Sequence, residues 1–68
     1  MKYEATICLE DNCKRSHGVY KDIVADSDHE AINIAFEHST GYDKEYPENY
    51  VERVKNLTMG REIYYFLD

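Results

Sequence analysis

The sequence predicts an α+β fold: a four-stranded antiparallel sheet with one helix on one face, in the order β-β-α-β-β. Three observations lead to this prediction. Apolar residues alternate along two early segments, a helix-start signal lies near the middle of the chain, and aromatic residues fill a final segment. A chain of 68 residues forms one domain, 1–68, with a thin core.

The first two strands are predicted from their period-two patterns. Over residues 2–9, the apolar side chains of Tyr3, Ala5, Ile7 and Leu9 alternate with polar or small ones. A turn-rich segment follows, and the pattern then resumes at positions 19, 21, 23 and 25. Because the connection is short, we expect the second strand to pair antiparallel to the first.

A helix over residues 28–39 is predicted from its start signal. Ser27 is a favourable N-cap residue, and Glu30 follows at the spacing of a capping box. Gly41 is a natural C-cap. The predicted apolar stripe consists of Ala31, Ile34, Ala35 and His38, broadened by Ile32 and Phe36.

Residues 50–58 are ambiguous between helix and strand. Tyr50, Val54 and Leu57 fit helical spacing, whereas β-branched residues in the same segment favour a strand. A Met-Gly pair follows and suits a hairpin turn into the last segment. We therefore predict a strand here and a second one over residues 62–67.

A single helix leaves the far face of the sheet uncovered. The strand phases assign this face Glu4, Thr6, Cys8, Tyr20, Asp22 and Val24. The last strand is apolar in both phases, so it adds either Tyr64 and Phe66 or their neighbours. Tyr20, Val24, Tyr64 and Phe66 thus form a candidate dimer or partner surface. The alternative is that the tyrosines only shield the sheet, with their hydroxyls in water.

The negative charge is concentrated in one segment. The chain has a net charge of -6, and residues 22–52 hold nine acidic residues against one basic residue, Lys44. An acidic face in water would explain this, as would a surface for a basic partner. Direct nucleic-acid binding needs clustered Lys and Arg, and here Lys14, Arg15 and His17 form only a small basic tip.

Three tyrosines recur every fourth residue within this acidic segment. We expect Tyr50 to enter the core and Tyr42 and Tyr46 to be more exposed, where tyrosines favour protein contacts. The predicted partner-binding residues are Asp28, Glu30, Glu37, Tyr42, Asp43, Glu45, Tyr46 and Glu48. Surrounding carboxylates would steer this segment toward a basic protein.

Metal binding and catalysis find weaker support. Cys8, Cys13 and His17 could supply three zinc ligands, with His29 or His38 as a fourth, but their spacing fits no standard zinc motif. The alternative is a pair of ordinary reduced thiols. The histidines lie near acidic residues, yet no nucleophile or phosphate-binding motif accompanies them. We therefore predict neither a cofactor nor an enzyme.

In size, acidity and the strand–cap–helix layout of residues 23–31, the chain resembles small accessory proteins of phages and mobile elements. Among these, anti-CRISPR proteins include acidic domains that block a nucleic-acid-binding site on a defence complex. The resemblance implies a non-enzymatic inhibitor of a nucleic-acid-handling protein and transfers no functional residue. The alternatives are a homodimeric structural or regulatory module and a zinc-stabilised module.

The start of the chain bears on its location. Its first residues begin no apolar run, so we expect neither a signal peptide nor a membrane span. We expect the protein in the cytoplasm, of the host cell if a phage encodes it.

Overall fold

The computed structural model describes residues 1–10 and 16–66. Within these residues, the predicted α+β fold is confirmed as a four-stranded antiparallel sheet with one helix. The elements are β1 (Lys2–Glu10), β2 (Ser16–Val24), α1 (Asp28–Thr40), β3 (Tyr50–Asn56) and β4 (Arg61–Tyr65).

The strands lie in the order β2-β1-β3-β4, and each pairs antiparallel to its neighbours. β1 and β2 form one hairpin, and β3 and β4 form another. Because β1 is antiparallel to both β2 and β3, these two strands run in the same direction on either side of it. Helix α1 makes the connection between them.

The register assigns each residue to a face, because direct cross-strand partners share a face. Tyr3 pairs with Ile23, and Ala5 pairs with Val54, which places these residues beneath α1. The intervening residues face the other way, as predicted. These are Glu4, Thr6 and Cys8, paired with Asp22, Tyr20 and Gly18. We call this opposite side the uncovered face.

Small residues bring the helix close to the sheet. Ala31 and Ala35 are fully buried against the core, which includes Val51 and Val54. The next buried helical residue is Ser39, one turn after Ala35. The prediction that His38 lies in the buried stripe is wrong, because a four-residue spacing carries the buried line to position 39.

The helix starts as predicted, and Gly41 is its C-cap as predicted. The Ser27 hydroxyl accepts a hydrogen bond from the Glu30 backbone N–H at 3.2 Å. The Glu30 carboxylate accepts from the backbone N–H of Asp26 at 3.2 Å, one residue before the N-cap. At the other end, Gly41 caps the helix with φ −62°, so this position does not use glycine's left-handed conformation.

The ambiguous segment is a strand, as predicted, and the turn after it uses Gly60 at φ 69°. The placement of Tyr64 on the uncovered face is wrong. Tyr64 pairs with the buried Val54, and its ring meets that of Phe36 on α1 at 5.4 Å. Uniform apolarity hid the phase of this strand, which pairing with β3 determines; Tyr65 takes the uncovered face instead.

Among the described residues, no helix combines the length and the apolar character needed to cross a membrane.

Candidate functional site

Asp28, one of the predicted partner-binding residues, is engaged inside the fold. Its Oδ1 accepts hydrogen bonds from the Tyr3 hydroxyl at 2.8 Å and from Asn56 Nδ2 at 3.1 Å. Its Oδ2 accepts from Arg61 Nη2 at 3.1 Å. The hydrogen bond from Tyr3 is the largest cause that holds the pKa of Asp28 below its ordinary value. We therefore exclude Asp28 from the candidate surface.

The partners of Asp28 join four elements at one end of the molecule. Tyr3 comes from β1, Asn56 from β3 and Arg61 from β4, while Asp28 opens α1. Asn56 is fully buried, and its Oδ1 also accepts from the backbone N–H of Met59 at 2.9 Å. Burial, followed by the hydrogen bond to Asp28, raises the pKa of Tyr3. This network fixes the helix N-terminus onto the sheet.

The outer face of α1 carries two carboxylates. Glu30 and Glu37 lie two turns apart, with the exposed Asn33 between them, on the side opposite the buried alanines. One carboxylate oxygen of Glu30 accepts the hydrogen bond from the Asp26 N–H described above. Glu37 is exposed, and it makes no ion pair or side-chain hydrogen bond within the described part of the chain.

The loop over residues 41–49 is held by one asparagine. Asn49 Nδ2 donates to Asp43 Oδ1 and to the backbone carbonyl of Tyr46, both at 2.7 Å. The hydroxyl of the buried Ser39 donates to Asn49 Oδ1. Successive backbone turns add a bond from the Tyr46 N–H to the Tyr42 carbonyl at 2.6 Å. The loop therefore has a defined shape that fixes the positions of its acidic residues.

Sequence reasoning did not single out Asn49 and Ser39. An asparagine two residues after proline is a turn signal, and it is the one feature that points to this network.

Tyr42 and Tyr46 form an aromatic pair on this loop. Their rings meet edge to face, with centroids 6.4 Å apart. The Lys21 ammonium lies 5.3 Å from the centre of the Tyr42 ring. Both rings are half-buried, so they are less exposed than we expected. The loop therefore carries a half-buried aromatic pair close in sequence to its carboxylates.

The acidic residues of the loop are not neutralised by cations of the described chain. The ion pairs among the described residues are Arg53–Glu62 and Arg61–Asp28. Asp43 accepts from Asn49, and Glu45 and Glu48 are exposed; none of the three forms an ion pair within residues 1–10 and 16–66. We define the anionic surface as Glu30, Glu37, Tyr42, Asp43, Glu45, Tyr46 and Glu48.

Tyr50 does not enter the core beneath the helix. It pairs with Cys8 on the uncovered face, and its ring centroid lies 4.6 Å from that of Phe66. A hydrogen bond with the Cys8 thiol is the main cause that raises the pKa of Tyr50 to about 12. Together with Val51 beneath α1, Tyr50 shows that β3 contributes large side chains to both faces.

The metal hypothesis gains no support from the described residues. Cys8 is a buried free thiol, while Cys13 and the side chain of His17 lie outside the described residues. His29 and His38 are exposed. Within the described part of the chain, no three His, Cys, Asp or Glu side chains come close enough to hold a metal ion.

The chain matches no protein-family model, no curated protein and no solved structure. Its function is therefore argued from the surface chemistry above.

Proposed function

We propose that this protein is a non-enzymatic inhibitor that binds a basic, nucleic-acid-binding surface of another protein. Its contact region is the anionic surface of α1 and the loop that follows. Anti-CRISPR proteins, which the chain resembles in size, acidity and layout, act in this way. One observation carries the proposal: Glu37, Glu45 and Glu48 are exposed and have no cationic partner among the described residues.

Exposed carboxylates suit this role because they act at a distance. Surface charges attract a basic partner and accelerate association, and salt screens them over a Debye length of about 8 Å at physiological ionic strength. Tyr42 and Tyr46 add contact area that costs little side-chain entropy on binding. The Asn49 network supports the same role, because a loop already held in shape loses less entropy when it binds.

The expected partner is a protein that holds DNA or RNA through Lys and Arg. The inhibitor would occupy the groove in place of nucleic acid, without binding nucleic acid itself. We place this activity in the cytoplasm, and in the host cytoplasm if the chain is phage-encoded.

The test is capture of the partner from native lysate on immobilised protein, followed by mass spectrometry. We expect a nucleic-acid-handling protein to bind at low salt and to be released at high salt. The purified partner should then lose bound DNA or RNA when this protein is added. The Glu45→Lys/Glu48→Lys variant should bind at least roughly tenfold more weakly, because attraction becomes repulsion.

A matched variant controls for net charge. Asp26→Lys/Glu52→Lys changes the total charge equally at positions outside both the anionic surface and the cross-strand pairs of the uncovered face, so it should bind like the parent. Equal binding by the parent and Glu45→Lys/Glu48→Lys would overturn the proposal, as would capture that salt does not weaken.

A further inference from the structure

We propose that the uncovered face binds a second copy of this chain, with the twofold axis parallel to the strands. This interface is separate from the anionic surface and does not depend on the proposed function. Large apolar side chains remain open on this face: Val24 is 76% exposed, Tyr20 68% and Tyr65 50%. Val24 and Tyr20 lie along the β2 edge of this face and Tyr65 lies on the β4 edge, so exposed apolar side chains border the face on both sides.

The sheet register arranges this face in rows that cross all four strands. In the order β2-β1-β3-β4, one row is Asp22, Glu4, Lys55 and Glu62. The neighbouring row is Tyr20, Thr6, Arg53 and Tyr65. In these two rows the β1–β2 half carries Asp22 and Glu4, and β3 beside it carries Lys55 and Arg53. Lys2 lies beyond these rows, next to Val24.

The charge pattern selects the symmetry of the pairing. A twofold axis parallel to the strands places β1 of one copy over β3 of the other, so Glu4 faces Lys55 of the second copy twice. A twofold axis across the strands places each strand over its own counterpart, so the two β3 strands bring Arg53 and Lys55 of both copies together. Charge complementarity favours the first arrangement. Its like-charge contacts, one at each edge, join Asp22 of one copy to Glu62 of the other. Arg53 already pairs with Glu62 within each copy at 3.4 Å.

The same axis also matches the row that contains the aromatic residues. β2 of one copy then lies over β4 of the other, so Tyr20 faces Tyr65 of the second copy at both edges of the interface. An isologous pairing thus offers partners to the exposed rings.

Helix α1 covers the opposite side of the sheet, so a dimer built this way keeps both anionic surfaces outward. A bivalent inhibitor would result, and its avidity would exceed that of one surface. The dimer contact and the partner contact can therefore be tested separately.

Sedimentation velocity on the full chain provides the test, with variants that change charge across the interface. The parent should sediment at twice its chain mass of 8.0 kDa. Glu4→Lys alone and Lys55→Glu alone should each shift the species to the chain mass, because like charges then meet twice. An equimolar mixture of the two variants should restore the dimer, since opposite charges meet at both contacts.

Glu4 and Lys55 are also cross-strand neighbours within one copy. Dimerisation that returns in the mixture therefore reports contact between copies and not this pairing within one copy. Tyr20→Ser supplies a second variant at an exposed position and should weaken dimerisation roughly tenfold or more. Glu45→Lys/Glu48→Lys should remain dimeric. A parent that stays monomeric at millimolar concentration overturns the inference. So does a mixture of folded variants, verified by circular dichroism, that stays monomeric.

Discussion

The two ends of helix α1 carry the same kind of side chain in opposite circumstances. At its N-terminus, Asp28 accepts hydrogen bonds from three side chains of the sheet. Beyond its C-terminus, Glu45 and Glu48 are exposed and have no ion pair among the described residues. Sequence reasoning treated all these carboxylates as one docking surface. The difference shows that a carboxylate held by a cation and by further side-chain donors, as Asp28 is, contributes little to an exposed charged surface.

The comparison also separates stability from binding. Removing donors or acceptors at the first end leaves buried polar groups unpaired, which is costly. Removing charge at the second end exchanges one hydrated side chain for another, which is nearly neutral. Mutations at the two ends should therefore affect different measurements.

The largest effect is expected at Asn56, the buried member of the network. Asn56→Ala removes the bond to Asp28 and the acceptor for the Met59 N–H. We expect the free energy of unfolding to fall by about 2–3 kcal/mol, measured by urea denaturation. Asn33→Ala, on the exposed outer face of α1, is the control and should change stability by less than about 0.5 kcal/mol. Equal losses in both variants would contradict the difference between the ends.

An intermediate effect should appear in the pH dependence of stability. Because the folded state lowers the pKa of Asp28, this carboxylate contributes stability above the pKa of an unfolded aspartate, near about pH 4. That contribution is lost as the pH falls through the lowered folded value. Asp28→Asn should therefore reduce the melting temperature at neutral pH and flatten its decline in acid. The measurement is a series of thermal melts between neutral and strongly acidic pH.

Asp43→Asn serves as the matched variant, since Asp43 accepts a hydrogen bond from Asn49 but takes part in no ion pair among the described residues. It should reproduce the acid decline of the parent. If Asp28→Asn also kept the full decline, the acid sensitivity would belong to other groups.

The smallest effect on stability is expected for the loop acids. Glu45→Gln/Glu48→Gln should change the free energy of unfolding by less than about 0.5 kcal/mol, because neither side chain pairs with the described chain. Chemical denaturation checks this. A loss comparable to that of Asn56→Ala would mean that the loop carboxylates support the fold and are not free for a partner.

Local signals predicted most of the secondary structure. The alternation in β1, the cap at Ser27 and the turn at Gly60 each depend on residues within a few positions of one another. These features were therefore visible in the sequence. The phase of β4 was not, because Ile63, Tyr64 and Tyr65 are apolar in both phases and only pairing with β3 separates them.

Contacts between distant segments could hardly be predicted from the sequence. Tyr3, Asp28, Asn56 and Arg61 come from four elements, and no spacing rule relates them. Tyr50 was expected in the core, yet pairing with Cys8 directs it to the uncovered face. The anionic surface was anticipated from composition, but only three-dimensional contacts could remove Asp28 from it.

The position of β1 between β2 and β3 has a consequence for how the chain folds. Each hairpin closes through near neighbours, whereas joining β1 to β3 brings Tyr3 to Asn56 and must close a loop that spans most of the polypeptide. Chain entropy is lost in closing this loop before the contacts between β1 and β3 form. We therefore expect the pairing of β1 with β3 to limit the rate of folding. Until β1 and β3 pair, one edge of β1 has unpaired backbone groups. We expect the chain to be most prone to aggregation during this interval.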